Sequence, residues 1–314
     1  MTNLKNIFKT ILQILFVINL IFFSTLQAKN YNKFDNADSI SNYFSGIIHL
    51  NQNEYDSSYK YLKKLKGLEN SHKNYSEKYL YSLVNTGNFF QAFKYSKKLE
   101  GDGLTTFKSD LIMGIYYLKQ NKFNLSKKYF LNANNRDLNT VLESYIAKSL
   151  ILWSDLNNTS LNQAMIELER IDQRFVNLKK IQNVFLNCYF KSKNTKTLFE
   201  NLTSNEKTDF SRYNYFFANY LNNIGQKVYA QKILEESLKR YPRNLLINQY
   251  KIDLLNDKNN FQFDCGKQEH VMAEILYITA NALGSQYIYP SSNFYLNLAK
   301  YLNQDFHIFD TLLA

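Results

Sequence analysis

Asn53-Glu54-Tyr55-Asp56-Ser57-Ser58-Tyr59-Lys60-Tyr61-Leu62 is answered by Gly87-Asn88-Phe89-Phe90-Gln91-Ala92-Phe93. Asn121-Lys122-Phe123-Asn124-Leu125-Ser126 then follows, with Phe130 and Ala133 beyond it. Each stretch opens on a turn residue, places an aromatic two positions on (Tyr55, Phe89, Phe123) and a small residue five positions on (Ser58, Ala92, Ser126). The turn residues Asn53, Gly87 and Asn121 are 34 and 34 residues apart. Self-similarity at a period between about 20 and 50 residues marks stacked supersecondary units, none of which can bury its apolar face alone. Tracking the small residue forward gives positions 58, 92, 126, 164, 198 and 230, with steps of 34, 34, 38, 34 and 32. The 38-residue step fits an enlarged turn at Asp155 to Ser160, and position 198 is a leucine, so the fifth unit is degenerate, as is Leu186 before it.

This period with these residue types resembles the tetratricopeptide repeat (TPR), a helix-turn-helix unit of 34 residues. In that family a small residue in helix A meets a small residue in helix B where the helices cross most closely. The helix A positions here are Gly46, Leu80, Gly114 and Ala218, and the helix B positions are Ser58, Ala92, Ser126, Ala164 and Ala230. Leu62, Phe130 and Leu234 match the large packing positions of helix B. Tyr213 to Asn244 is the fullest match, and its Pro242 stands where the family ends a helix, as expected of a residue that cannot continue one. A helical stretch to Leu255, a loop from Asn256 to Gly266, and a last pair (Glu269 to Leu283 with Ala280, Pro290 to Leu302 with Ala299) complete the likeness. The resemblance implies an all-α fold, a right-handed superhelical solenoid of seven to eight units over residues 29–303, interrupted by a loop near 256–268. Residues 304–314 read as a short C-terminal helix, either a cap or a truncated next repeat.

Composition agrees with helices. The 314 residues include only 9 Gly and 2 Pro, too few for the turns of a β-sandwich. A hydrophobic content of 45%, with 16% aromatic, can bury enough area to exclude a disordered chain. At the start, Lys5 and Lys9 precede an apolar run from Thr10 to Phe23 that ends near Ala28. That is the layout of a secretory signal peptide over residues 1–28. The alternative is an uncleaved anchor over residues 7–26, against which Lys9, Gln13 and Asn19 interrupt the run. The expected location is the periplasm, or the inner membrane facing it; the only membrane contact would be through that segment.

Without the two lysines of residues 1–28 the chain holds 36 basic and 27 acidic residues, a net charge of +9. Export argues against nucleic acid as the partner and leaves anionic envelope components, or a solvated Lys-rich face without a specific partner. Cys188 and Cys265 could pair in an oxidising compartment. With about four helices between them, at 8–10 Å per neighbour, they are expected to lie too far apart for a bridge.

Placed on the TPR pattern, the inward positions of the early units are Tyr43, Ile47, Leu50, Tyr81, Val84, Leu111, Ile115 and Leu118. Those of the later units are Lys180, Asn183, Asn187, Arg212, Asn219 and Asn222. The resemblance therefore implies a concave groove, apolar at one end and polar and basic at the other, suited to a peptide or helix with an apolar anchor and a carboxylate. An apolar row at helical spacing is more often core than binding site. For catalysis little is present: His49, His72, His270 and His307 are scattered, and no zinc spacing, nucleophile elbow or phosphate loop occurs. Gly101-Asp102-Gly103 reads as a connection between units, and Glu167, Glu169 and Asp172 as a solvated face. The expectation is an exported scaffold for protein interaction, with no metal, cofactor or enzyme activity. The alternatives are an accessory glycan-binding module of a cell-wall enzyme system and a self-assembling structural protein.

Overall fold

The computed structural model describes residues 34–136, 139–204, 210–256, 258 and 262–307. Among these residues the regular structure is entirely helical. The helices are α1 (Ala37–Asn51), α2 (Tyr55–Leu62), α3 (Lys73–Asn85), α4 (Phe89–Gly101), α5 (Phe107–Lys119), α6 (Phe123–Asn134), α7 (Val141–Ser154) and α8 (Leu161–Glu169). They continue with α9 (Val176–Tyr189), α10 (Thr195–Thr203), α11 (Tyr213–Asn223), α12 (Lys227–Arg240), α13 (Leu245–Leu255), α14 (Gln268–Gly284) and α15 (Tyr289–Leu302).

Local chemistry sets the helix ends. Thr106 with Ser109, Thr140 with Glu143 and Ser160 with Gln163 form reciprocal capping boxes that start α5, α7 and α8, each satisfying two otherwise orphaned backbone groups. Six hairpins share one turn. Asn53, Gly87, Asn121, Lys191, Gly225 and Tyr287 all have positive φ, between 53° and 79°. The next residue then sends its N–H back five positions: Glu54 to His49 O, Asn88 to Leu83 O, Ser192 to Asn187 O and Gln226 to Leu221 O, all at 2.8 Å, Lys122 to Tyr117 O at 2.9 Å, and Ile288 to Leu283 O at 3.0 Å. A left-handed residue followed by this bond ends a helix and reverses the chain.

The crossings within hairpins are close. A Cβ on Gly46 would lie 2.6 Å from a Leu62 methyl, and one on Gly114 would strike the Phe130 ring. The Ser58 hydroxyl donates to Gly46 O at 2.8 Å across the crossing, and Ser292 repeats that bond to Ala280 O at 2.7 Å in the last hairpin. Ser58, Ala92, Ser126, Ala164 and Ala230 are all fully buried.

From α1 to α13 each helix packs on the next, forming a row of hairpins; the last pair leaves the row. α15 returns to lie against α1, α3 and α5, while α14 lies against α7. Polar bonds fix the return: Tyr81 Oη to Ser291 Oγ at 3.1 Å, the Asn85 amide to Pro290 O at 3.3 Å, and the Lys119 ammonium to Leu302 O at 3.0 Å. Asn293 is hydrogen-bonded to Tyr55. Met272, Ile275, Leu276, Phe294 and Leu298 are buried with it, and burial of each such side chain stabilises by roughly 1.5–3 kcal/mol.

This return corrects the reading of the cysteines. Cys188 and Cys265 form a disulfide, with Cα atoms 5.9 Å apart. Counting helices along the row overstates their distance because the segment between α13 and α14 crosses back to α9. Phe263 on that segment inserts between Phe185, at 5.2 Å, and Phe216, at 4.5 Å. At the chain end Gln304 and Asp305 form a turn, and Phe306 is buried, its ring stacked on Tyr215 at 5.6 Å; most of the expected C-terminal helix lies outside the described residues. Residues 1–33, including the leader segment, and residues 308–314 lie outside the described residues. Among the described residues no helix is long and apolar enough to cross a membrane.

Candidate functional site

The inner positions named from the repeat pattern do not line an open groove. Leu50, Tyr81, Val84, Leu111, Ile115 and Leu118 are at most 4% exposed, and Tyr43 and Ile47 are half-buried. α15 supplies much of the cover: the Tyr81 ring meets Phe294 edge-on at 5.1 Å. Tyr43 turns to His72, whose Nε2 lies 2.7 Å from its hydroxyl. An apolar row on the first helix of each hairpin must be covered by something, and the chain covers it with its own last hairpin.

The polar group is also largely self-satisfied. Arg212 forms a two-pronged pair with Glu274 of α14, both contacts at 2.8 Å, and its guanidinium sits 4.0 Å from the centre of the Tyr277 ring. Burial works to lower the Arg212 pKa, but the Glu274 charge and hydrogen bonds outweigh it, so the group is held above the usual arginine range. Tyr213 is raised well above the usual range, by burial first and by Glu274 second. Asn187 donates to Asn183 O at 3.0 Å, and Asn223 to Asn219 Oδ1 at 3.2 Å, each one turn apart on the same helix. Asn183 and Asn222 are partly exposed, and Lys180 is exposed, its ammonium 3.3 Å from Asn177 Oδ1.

An open site lies instead where the repeat breaks step. The 38-residue interval contains a 3-10 turn of three residues, Leu156–Asn158, between α7 and α8. Beside it, α6, α7 and α8 enclose a cleft of about 560 Å³, within the range typical of small-ligand and peptide pockets. Leu131, Ile151 and Leu152 give it apolar surface; Lys127, Lys148 and Arg170 give it positive charge. Its acids are already engaged: Asp155 with Lys127 at 2.7 Å and Glu167 with Arg170 at 2.7 Å. These pairs neutralise Lys127 and Arg170 and leave the charge of Lys148 in excess, so the cleft suits a short segment carrying an apolar side chain and one carboxylate. Glu167, read from the sequence as part of a solvated face, lines it. The signal that could have located the cleft was the 38-residue step itself, since extra residues between packed helices wedge them apart.

The histidines serve the fold. His49 stacks on Tyr61 at 5.3 Å and bonds Glu54. His270 is buried and accepts the Asp264 N–H at 3.0 Å; burial, then the Lys267 charge, lowers its pKa. Among the described residues no cluster of three His, Cys, Asp or Glu side chains could hold a metal ion. Compared with known proteins, the chain matches no family model and no curated protein.

Proposed function

We propose that the chain is an exported scaffold of TPR-type hairpins, acting in the bacterial cell envelope by binding a protein or peptide partner. Two features support the hairpin reading: the recurring left-handed turn and the close crossings at Gly46 and Gly114. Export is supported by the basic-then-apolar start of the sequence and by a pairing of both cysteines, which persists in oxidising compartments. The binding site differs from the groove that the resemblance implies. With that groove filled, the cleft between α6, α7 and α8 is the site, and its apolar floor with a cationic rim carries the reading. An acidic segment with one apolar anchor is the partner class, the lysines steering its approach and the anchor holding it.

The test is capture from envelope extract by immobilised protein, wild type against Lys148→Glu with Arg170→Glu. Loss of a protein partner in the variant supports the scaffold. Capture of peptidoglycan with no dependence on these two residues favours the glycan-binding alternative.

A further inference from the structure

Both ends of the row of hairpins leave an apolar helix face open. On α1, Ile40, Phe44 and Ile48 recur every fourth residue and each is more than half exposed. One period after Ile48 stands Ser82, and two periods after Phe44 stands Ile112; both are buried. Of the other positions one and two periods on, Lys78, Lys108 and Tyr116 are half-buried and Asn74 is exposed, so the row covers most of these positions more fully once a hairpin precedes them. At the other end α13 is apolar on two sides. Leu246, Ile247, Tyr250 and Leu254 face inward and are buried, while Leu245, Ile252 and Leu255 are each more than half exposed. No helix of the row follows α13, because the chain crosses back to Cys188 instead. Rows of repeats ordinarily end in a polar cap, and among the described residues no such cap covers either face.

We propose that these two faces are halves of one interface, α13 of one copy stacking on α1 of the next. This goes beyond the cleft and its partner, since the occupant is a second copy of this chain. Charge selects the arrangement. Odd-numbered helices of the row run in the same direction and touch one another, α1 with α3, α3 with α5, α5 with α7 and α11 with α13, so a copy that continues this layer lays α1 parallel to α13 with their starts together. α1 begins with exposed Asp35 and Asp38, and α13 is preceded by exposed Arg240 and Arg243. Parallel stacking sets acids beside arginines, whereas α1 against a second α1 sets acid beside acid. Contacts of this head-to-tail kind do not close by two-fold symmetry, so copies add one after another into a line, or into a ring where the rotation closes.

Sedimentation velocity of the purified protein tests this, using Phe44→Glu with Ile48→Glu for one end and Ile252→Glu with Leu255→Glu for the other. All four positions are exposed, and circular dichroism checks that the fold is kept. Wild type is expected to form larger species as concentration rises, and each variant alone to stay monomeric. An equimolar mixture of the two variants is expected to give a dimer and nothing larger, since its two intact faces use each other up. Asp38→Arg is expected to weaken wild-type association and Arg243→Asp in the same chain to restore it. Wild type that stays monomeric at every concentration reached, or a variant that associates alone as wild type does, or a mixture that remains monomeric, overturns the proposal.

Discussion

Gly114 shows how one position can hold a crossing together. Any side chain there meets the Phe130 ring, and overpacking of this kind costs about 1–3 kcal/mol. Gly114→Ala is therefore expected to lower stability by about 2 kcal/mol in a urea titration. Tyr287 presents the opposite case. It holds a left-handed conformation, φ 62°, with its side chain 79% exposed, and a non-glycine residue in that region is strained by roughly 1–2 kcal/mol. Tyr287→Gly is expected to raise the melting temperature, because relief of strain outweighs the added freedom of the unfolded chain. Gly46, Gly87 and Gly114 were legible in the sequence, since glycine advertises the absence of a side chain. Lys191 and Tyr287 were not, because neither residue type signals a left-handed turn; only their places in the row demand it. His270 adds a pH dependence. Its pKa is lowered on folding from the usual 6.5, so the unfolded chain takes up the proton first. Its contribution is complete above that value and lost as pH falls below it. Thermal stability is expected to decline from pH 6.5 toward 5, and less steeply in His270→Gln.

Among the elements, the segment joining α13 to α14 carries most of what the sequence concealed. The sequence suggested a loop from Asn256 to Gly266, but the course of its described end, residues 262–267, was not readable, since a loop's path is set by where its ends are held. The disulfide closes a separation of 77 residues, a loop length for which chain-entropy estimates give about 4 kcal/mol. Cys188→Ser with Cys265→Ser is expected to lose about that much in chemical denaturation while far-ultraviolet circular dichroism stays helical. α14 depends equally on one ion pair. Glu274 is fully buried against Arg212, and removing one member of such a pair costs about 3–5 kcal/mol because the other charge is left stranded. Arg212 itself was picked out from the sequence as an inner basic position; its partner was sought in another molecule and lies in this one.

For the whole molecule, hairpin order was legible because turns and crossings repeat, and each repetition strengthens the reading of the others. Closure was not legible, because a row such as Leu111, Ile115 and Leu118 looks the same whether a ligand or the chain itself covers it. The cleft was partly legible, through the one interval longer than its neighbours. The packing of α15 makes a prediction that separates a permanent member of the core from a detachable lid. Amide hydrogens of α15 are expected to exchange as slowly as those of α5, and faster exchange confined to α14 and α15 would identify a lid.

The bond between Tyr55 and Asn293 joins residues 238 positions apart. A ribosome adding roughly 5–20 residues per second needs on the order of ten seconds or more to cover that distance. Throughout that interval the opening hairpins have been made and their oily inner wall has nothing to lie against. The newborn chain must therefore be shielded by a helper, or kept unfolded, until its own last stretch arrives to seal it.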